Sequence, residues 1–197
     1  MSAKTHKNKI NRRQFLALLG VGGIATYFGI RKAKLFSSDA KAKIVIIGGG
    51  AAGLSMAARL SQYLKYPDIT LIDPSDRQFY QPGFTLVASG VYKPDEVWKE
   101  QEHCIPDGIR WIKDSVAAVD PVRNSVRTRS NGTILYDFMV LSPGLQINWE
   151  KVEGITQATL GQGNAHSIYD FEGAQKTWGA MQELSKTGGC GIYTDTY

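Results

Sequence analysis

Apolar residues along the chain fall into short continuous runs divided by turn-forming clusters, and each run predicts an element. Ile44-Val45-Ile46-Ile47 is a succession of four β-branched residues and predicts a strand buried on both faces. A helix of small residues is expected to follow at once and run to about Tyr66. Leu54, Ala57, Ala58, Leu60, Ser61 and Leu64 would face the sheet, with Arg59 and Lys65 left to solvent. Pro67-Asp68 ends it, and Ile69-Thr70-Leu71-Ile72-Asp73 predicts a second strand, completing a βαβ unit. Residues 74–90 read as a shaped aromatic loop, and Val91 to Gly108 as a charged, partly helical stretch anchored by Val97 and Trp98. Ile109 to Ile112 reads as a short strand. Ser115–Asp120, Ser125–Arg129 and Thr133–Tyr136 then predict an antiparallel meander, with Asn131-Gly132 as its hairpin turn. Asp137 to Leu141 returns to a buried strand ending in the turn Ser142-Pro143-Gly144. From Tyr169 to Lys186 the spacing of Phe171, Ala174, Trp178, Met181 and Leu184 predicts a helix with a core-facing stripe. Gly188 to Tyr197 reads as a turn and the first strand of a second domain.

The junction of the first strand and helix carries the chemistry. Gly48, Gly50 and Gly53 stand at G-x-G-x-x-G spacing. In that pattern Gly48 permits the tight turn, Gly50 lets a pyrophosphate approach the backbone, and Gly53 lets the helix pack close to the strand. Ala51 and Ala52 open the helix, whose N-terminus offers unpaired N–H groups and a positive dipole end to phosphates. Asp73 lies 20 residues after Gly53, at the end of the second strand, where a carboxylate accepts hydrogen bonds from a ribose hydroxyl. A strand before the glycines, a helix after them and the acid beyond make this a dinucleotide site. The glycines alone do not separate FAD from NAD.

Charge is divided unevenly along the chain. The net charge is +5, but residues 1–43 hold ten Lys/Arg against one acid, and the remainder is net acidic. The basic balance therefore belongs to the N-terminal segment and not to a nucleic-acid-binding face. Lys4, Lys7, Lys9, Arg12 and Arg13 precede sixteen uncharged residues, Phe15 to Ile30, which is the anatomy of an export signal and short for a membrane span. Asn11-Arg12-Arg13-Gln14-Phe15-Leu16 resembles the twin-arginine signal, which implies recognition by the twin-arginine export machinery and passage in the folded state. Whether Ala40-Lys41-Ala42 marks a cleavage site is open. The two cysteines, Cys104 and Cys190, form no C-x-x-C, and with three scattered histidines they give neither a metal site nor a catalytic triad. For each thiol a buried or incidental role is expected.

Phe79-Tyr80-Gln81-Pro82 followed by Thr85-Leu86-Val87 closely resembles the sulfide:quinone oxidoreductases, particularly the branch that includes the mitochondrial enzymes. Asp137 to Gly144 resembles the segment Asp-x-x-(apolar)2-Ala-Thr-Gly of two-dinucleotide flavoproteins, with Ser142 and Pro143 in place of Ala-Thr. The resemblance implies FAD as cofactor, with Gln81, Val116, Pro143 and Gly144 beside it. It implies an α/β fold: a Rossmann-like FAD-binding domain over residues 43–160 with an inserted antiparallel β-meander. A targeting segment over 1–42 precedes it, and residues 161–197 form a linker helix and the truncated start of a second α/β domain. It also implies sulfide and a quinone as substrates, a membrane surface as partner, and a location on the periplasmic side of the cytoplasmic membrane, peripheral or signal-anchored. The family's reactive cysteines follow the position matching Tyr197, so the catalytic residues are expected beyond it. The alternatives are a flavocytochrome c sulfide dehydrogenase flavoprotein, a type II NADH:quinone oxidoreductase, and a truncated, non-catalytic dinucleotide-binding product. The first usually places a cysteine in the 79–87 loop, and none is present here.

Overall fold

The run Ile44 to Ile47 forms the strand its composition predicts, and the rest of the chain is laid on either side of it. The computed structural model describes residues 38–156 and 158–194. In chain order the elements are β1 (Lys43–Ile47), α1 (Ala51–Tyr63), β2 (Asp68–Ile72), β3 (Arg77–Phe79), α2 (Phe84–Ala88), β4 (Trp98–Glu100), α3 (Gln101–Cys104), β5 (Arg110–Ile112), β6 (Val116–Asp120), β7 (Ser125–Thr128), β8 (Thr133–Leu135), β9 (Phe138–Leu141) and α4 (Phe171–Thr187). The export-signal reading falls on residues outside those described.

Four strands make one parallel sheet in the order β5-β2-β1-β9, with Ile46 opposite Leu71 on one side and Val140 on the other. Alternate side chains of β1 enter different layers. Ile44 and Ile46 join Ile69, Leu71 and Ala57 beneath α1, while Val45 and Ile47 join Ile72, Ile112, Val126 and Tyr136 beneath the meander β6-β7-β8. Both faces are thus covered, as an all-parallel sheet requires. Ile46 and Leu71 are 0% exposed, and burying each such side chain is worth about 1.5–3 kcal/mol. The fold is the Rossmann-like α/β arrangement with an inserted meander that the sequence predicts.

Several boundaries differ from expectation, and each difference has a local cause. α1 stops at Tyr63, not Tyr66, because the backbone of Ser38 takes over: Ser38 N donates to Tyr63 O and Lys65 N to Ser38 O. Residues 74–90 are not a plain loop. β3 pairs antiparallel with β4, and α2 buries Phe84, Val87 and Ala88 against Val97, Phe171 and Ala174. The helical stripe of α4 is covered only toward its N-terminus. Ala174 is fully buried, whereas Met181 and Leu184 lie exposed. Residues 188–194 form no strand, since none of the described residues offers them a ladder partner. Cys104 is half-buried and Cys190 exposed, both as free thiols.

The Asn131-Gly132 hairpin is also not a two-residue turn. Only Gly132 takes positive φ (82°), and Thr128 N reaches back to Gly132 O. The reason is Asp114, which is 8% exposed at the end of β5. Its Oδ2 accepts from Ser130 N (2.7 Å), Asn131 N (3.1 Å) and Asn131 Nδ2 (2.9 Å), while Oδ1 accepts from Ser115 N (2.7 Å). One carboxylate therefore ties the parallel sheet to the meander. The Ser130 N–H, followed by the Asn131 side chain and Ser115 N–H, holds the Asp114 carboxyl at about 2, against an ordinary 3.8 and against the opposing effect of burial. A depressed carboxyl pKa stabilises the fold above the unfolded value, and that stabilisation is lost as pH falls from 3.8 to about 2. The melting temperature of the unsubstituted protein is therefore expected to fall more steeply than that of Asp114→Asn across this window. Parallel melting curves for the two proteins would refute the tie.

Candidate dinucleotide site

The candidate site lies where the sheet order reverses. β2 and β5 extend to one side of β1 and β9 lies on the other, so the C-terminal end of β1 is the topological switch point at which open α/β sheets bind ligands. The glycine turn occupies that place, and it is held by contacts from the turn after β9, from Asp73 and from Gln101.

The first is the turn after β9. Gly48 has φ +99°, and a Cβ there would fall on the Ser142 carbonyl oxygen and come 3.1 Å from Pro143 Cα. Ser142 N donates to Ile47 O (2.8 Å), and its Oγ lies 3.0 Å from Ile47 O and 3.1 Å from Gly48 O, sharing one proton between them. Ser142, which departs from the resembled pattern, uses its hydroxyl to fasten the two turns together. Gly53 serves the same junction, because a Cβ there would strike Gly48 O and lie 2.9 Å from Ser142 Oγ.

The second contact is Asp73. Its Oδ2 accepts from Gly49 N (2.6 Å) and its Oδ1 from Ser75 N (2.8 Å). A carboxylate has about four acceptor sites, so two remain for a ribose. Trp111 Nε1 donates to Asp73 O (3.0 Å), locking the end of β2.

Gly50 differs from its neighbours. It is the N-cap of α1, exposed, with no side-chain cap, and a Cβ built on it would meet nothing within 4 Å. No acidic residue lies in the first turn of α1. Ala51 and Ala52 are exposed, so the first-turn N–H groups face open space with no side-chain anion competing for them. An uncapped N-terminus on a 13-residue helix, opening where Gly50 leaves room, suits a pyrophosphate. These residues fit the phosphate and ribose of a dinucleotide.

The structure therefore brings Gly48, Gly50, Ala51, Ala52, Gly53, Asp73 and Pro143 to the C-terminal end of the parallel sheet, with Gly144 (φ +78°) exposed beside them. Gln81 is exposed on a 3-10 turn (Gln81–Gly83), and its side chain makes no hydrogen bond among the described residues. Val116 packs half-buried against the Val45 cluster. Two contributors were not foreseen. Gly49 is a spacer in the motif but is buried here, and Gln101 comes from the charged stretch to donate from Nε2 to Gly49 O (2.8 Å). The run of three glycines is a signal for the first, and nothing local signals the second.

Curated relatives include a mitochondrial sulfide:quinone oxidoreductase of Dictyostelium discoideum, 39% identical over 77% of this chain and 33% of that protein. The mitochondrial sulfide:quinone oxidoreductase of Mus musculus is 33% identical over 71% of this chain and 31% of its own length. The crystal structure of the sulfide:quinone oxidoreductase from Aquifex aeolicus superposes with a TM-score of 0.58 at 28% identity, covering 75% of this chain and 33% of that one. The chain thus spans about a third of the length of the curated relatives it matches. The family model described as pyridine nucleotide-disulphide oxidoreductase matches residues 42–184, which take in the sheet, the glycine turn and the turn after β9, and the chain belongs to that family.

Proposed function

We propose that this chain is the FAD-holding part of a sulfide:quinone oxidoreductase, oxidising sulfide and passing the electrons to a membrane quinone. The observation that carries the cofactor is the uncapped N-terminus of α1 at Gly50, open to a ligand and flanked by Asp73 and the turn after β9. The choice of sulfide and quinone is supported by the names of the relatives together with the Phe79–Pro82 segment. When bound, FAD supplies the two-electron chemistry. This chain's residues bind and orient: the N–H groups of α1 take the pyrophosphate, Asp73 takes the ribose, and the 142–144 turn and Gln81 border the remainder. The protein carrying this chain is expected to purify yellow, and anaerobic sulfide is expected to bleach the flavin until a quinone is added. Colourless soluble protein would overturn the cofactor, and bleaching by NADH but not by sulfide would overturn the substrate.

The same reading places the protein on the periplasmic side of the cytoplasmic membrane, at its surface, after export by the twin-arginine machinery. It rests on Arg12-Arg13 ahead of the uncharged Phe15 to Ile30 run. Among the described residues no helix is long and apolar enough to cross a membrane. Replacing Arg12 and Arg13 by lysine is expected to leave the protein in the cytoplasmic fraction. Unchanged periplasmic yield would refute the route.

A further inference from the structure

Gln101 is 1% exposed, yet its Oε1 is buried with no hydrogen-bond partner among the described residues. A side chain serving only to fill this volume would do better as methionine, which has similar length and strands no acceptor. What the amide provides is its other end: Nε2 donates to Gly49 O at 2.8 Å. Gly49 N, in turn, donates to Asp73 Oδ2 at 2.6 Å, so both backbone groups of this one residue are gripped from inside. The grip leaves no room for a side chain, since a Cβ on Gly49 would fall on Gln101 Nε2 and lie 2.9 Å from Asp73 Cβ. Gln101 itself is placed by Gln101 N donating to Asp76 O (2.8 Å), which hangs α3 from the β3–β4 ribbon.

The consequence follows from peptide geometry. Gly49 C=O and Gly50 N–H belong to one rigid trans plane and point in opposite directions. Anchoring the carbonyl inward on Gln101 therefore turns the Gly50 N–H outward. Gly50 is exposed, its N–H has no acceptor among the described residues, and the space above it is open. Two glycines in succession are otherwise free to rotate the plane between them.

We propose that Gln101 is a positioning residue of the dinucleotide cradle: it sets the Gly49–Gly50 peptide so that the Gly50 N–H faces the pyrophosphate before the ligand arrives. This rests on the dinucleotide reading above. The test uses ADP and adenosine as probes, which share the nucleoside and differ in the phosphates. Titration of the unsubstituted protein and of Gln101→Met is expected to show ADP weakened about tenfold or more with adenosine unchanged, whatever the urea midpoint loses through the unpaired Gly49 carbonyl. A purely structural glutamine would weaken both probes together. In the unsubstituted protein the Gly50 amide resonance is expected to shift with ADP and not with adenosine, a readout that does not depend on a variant folding. An unmoved Gly50 resonance, or an unchanged ADP-to-adenosine ratio in Gln101→Met, overturns the proposal. Failure of the unsubstituted protein to bind ADP or FAD overturns the dinucleotide reading itself.

Discussion

Gly48→Ala is expected to cost about 2–5 kcal/mol of stability and to abolish FAD retention. Two independent penalties meet at this residue. Its φ of +99° is a conformation that an alanine adopts only with strain, and the added methyl would fall on the Ser142 carbonyl oxygen, which is backbone and cannot rotate away. Relief would require parting the turn after β1 from the turn after β9, which breaks the Ser142 N to Ile47 O bond and the Oγ contacts behind it. Against a total stability of about 5–15 kcal/mol, that loss is large enough to unfold much of the population. Urea denaturation reads the loss directly. The control is Gly50→Ala, two residues on. Its φ of −70° suits any residue and its Cβ would meet nothing within 4 Å, so the midpoint should hold. The methyl would instead occupy the space left for the pyrophosphate, and FAD should weaken by about tenfold or more, which is about 1.4 kcal/mol. If the two variants unfold at the same midpoint, the assignment of Gly48 to backbone packing and Gly50 to the ligand is wrong.

Asp73→Ala should be nearly as damaging, through binding more than folding. The carboxylate holds the Gly49 and Ser75 N–H groups and has acceptor capacity left for the ribose. Hydrogen bonds to an ionised group are worth about 1.5–3 kcal/mol each, so losing the ribose contact alone should weaken FAD by about 10- to 150-fold. Unpairing the Gly49 N–H adds a stability loss of about 1–3 kcal/mol. Asp73→Asn retains one carbonyl acceptor for Gly49 and should fall between the two. Titration calorimetry with FAD and denaturation with urea separate the terms. A variant that loses stability but binds FAD like the unsubstituted protein would remove Asp73 from the ribose while keeping it on the turn.

What could be read from the sequence was what depends on neighbours. The Ile44–Ile47 run announces a doubly buried strand because every residue in it is apolar and β-branched. Gly48, Gly53 and Asp73 announce a cradle because their spacing is set within one βαβ unit. The meander was legible from Val116 to Tyr136 for the same reason. Illegible were the features decided across the chain. Gln101 reaches Gly49 over 52 residues from a stretch whose composition says only that it is charged. Asp114 reshapes a hairpin 16–17 residues away and so overrides the turn preference of Asn131-Gly132. Ser142 departs from the resembled motif, and its hydroxyl acts on the glycine-turn backbone 94 and 95 residues away. The early end of α1 belongs to this class, since Ser38 supplies the competing hydrogen bonds from outside the helix.

The fastening of the glycine turn by Ser142 has a further consequence, for the order in which the protein is made. The contacts from Ser142 Oγ to Gly48 O and Ile47 O span 94 and 95 residues. At a synthesis rate of about 5–20 residues per second, the back of the cradle reaches the ribosome exit roughly 5–20 s after its front. Through that interval Gly48 lacks the Ser142-Pro143 backbone that closes over its α-carbon, and β1 lacks the β9 partner that flanks it in the finished sheet. A chain interrupted before Ser142 would carry the whole glycine fingerprint and still hold no finished seat for a nucleotide. The glycine turn is therefore closed only once the turn after β9 has been made.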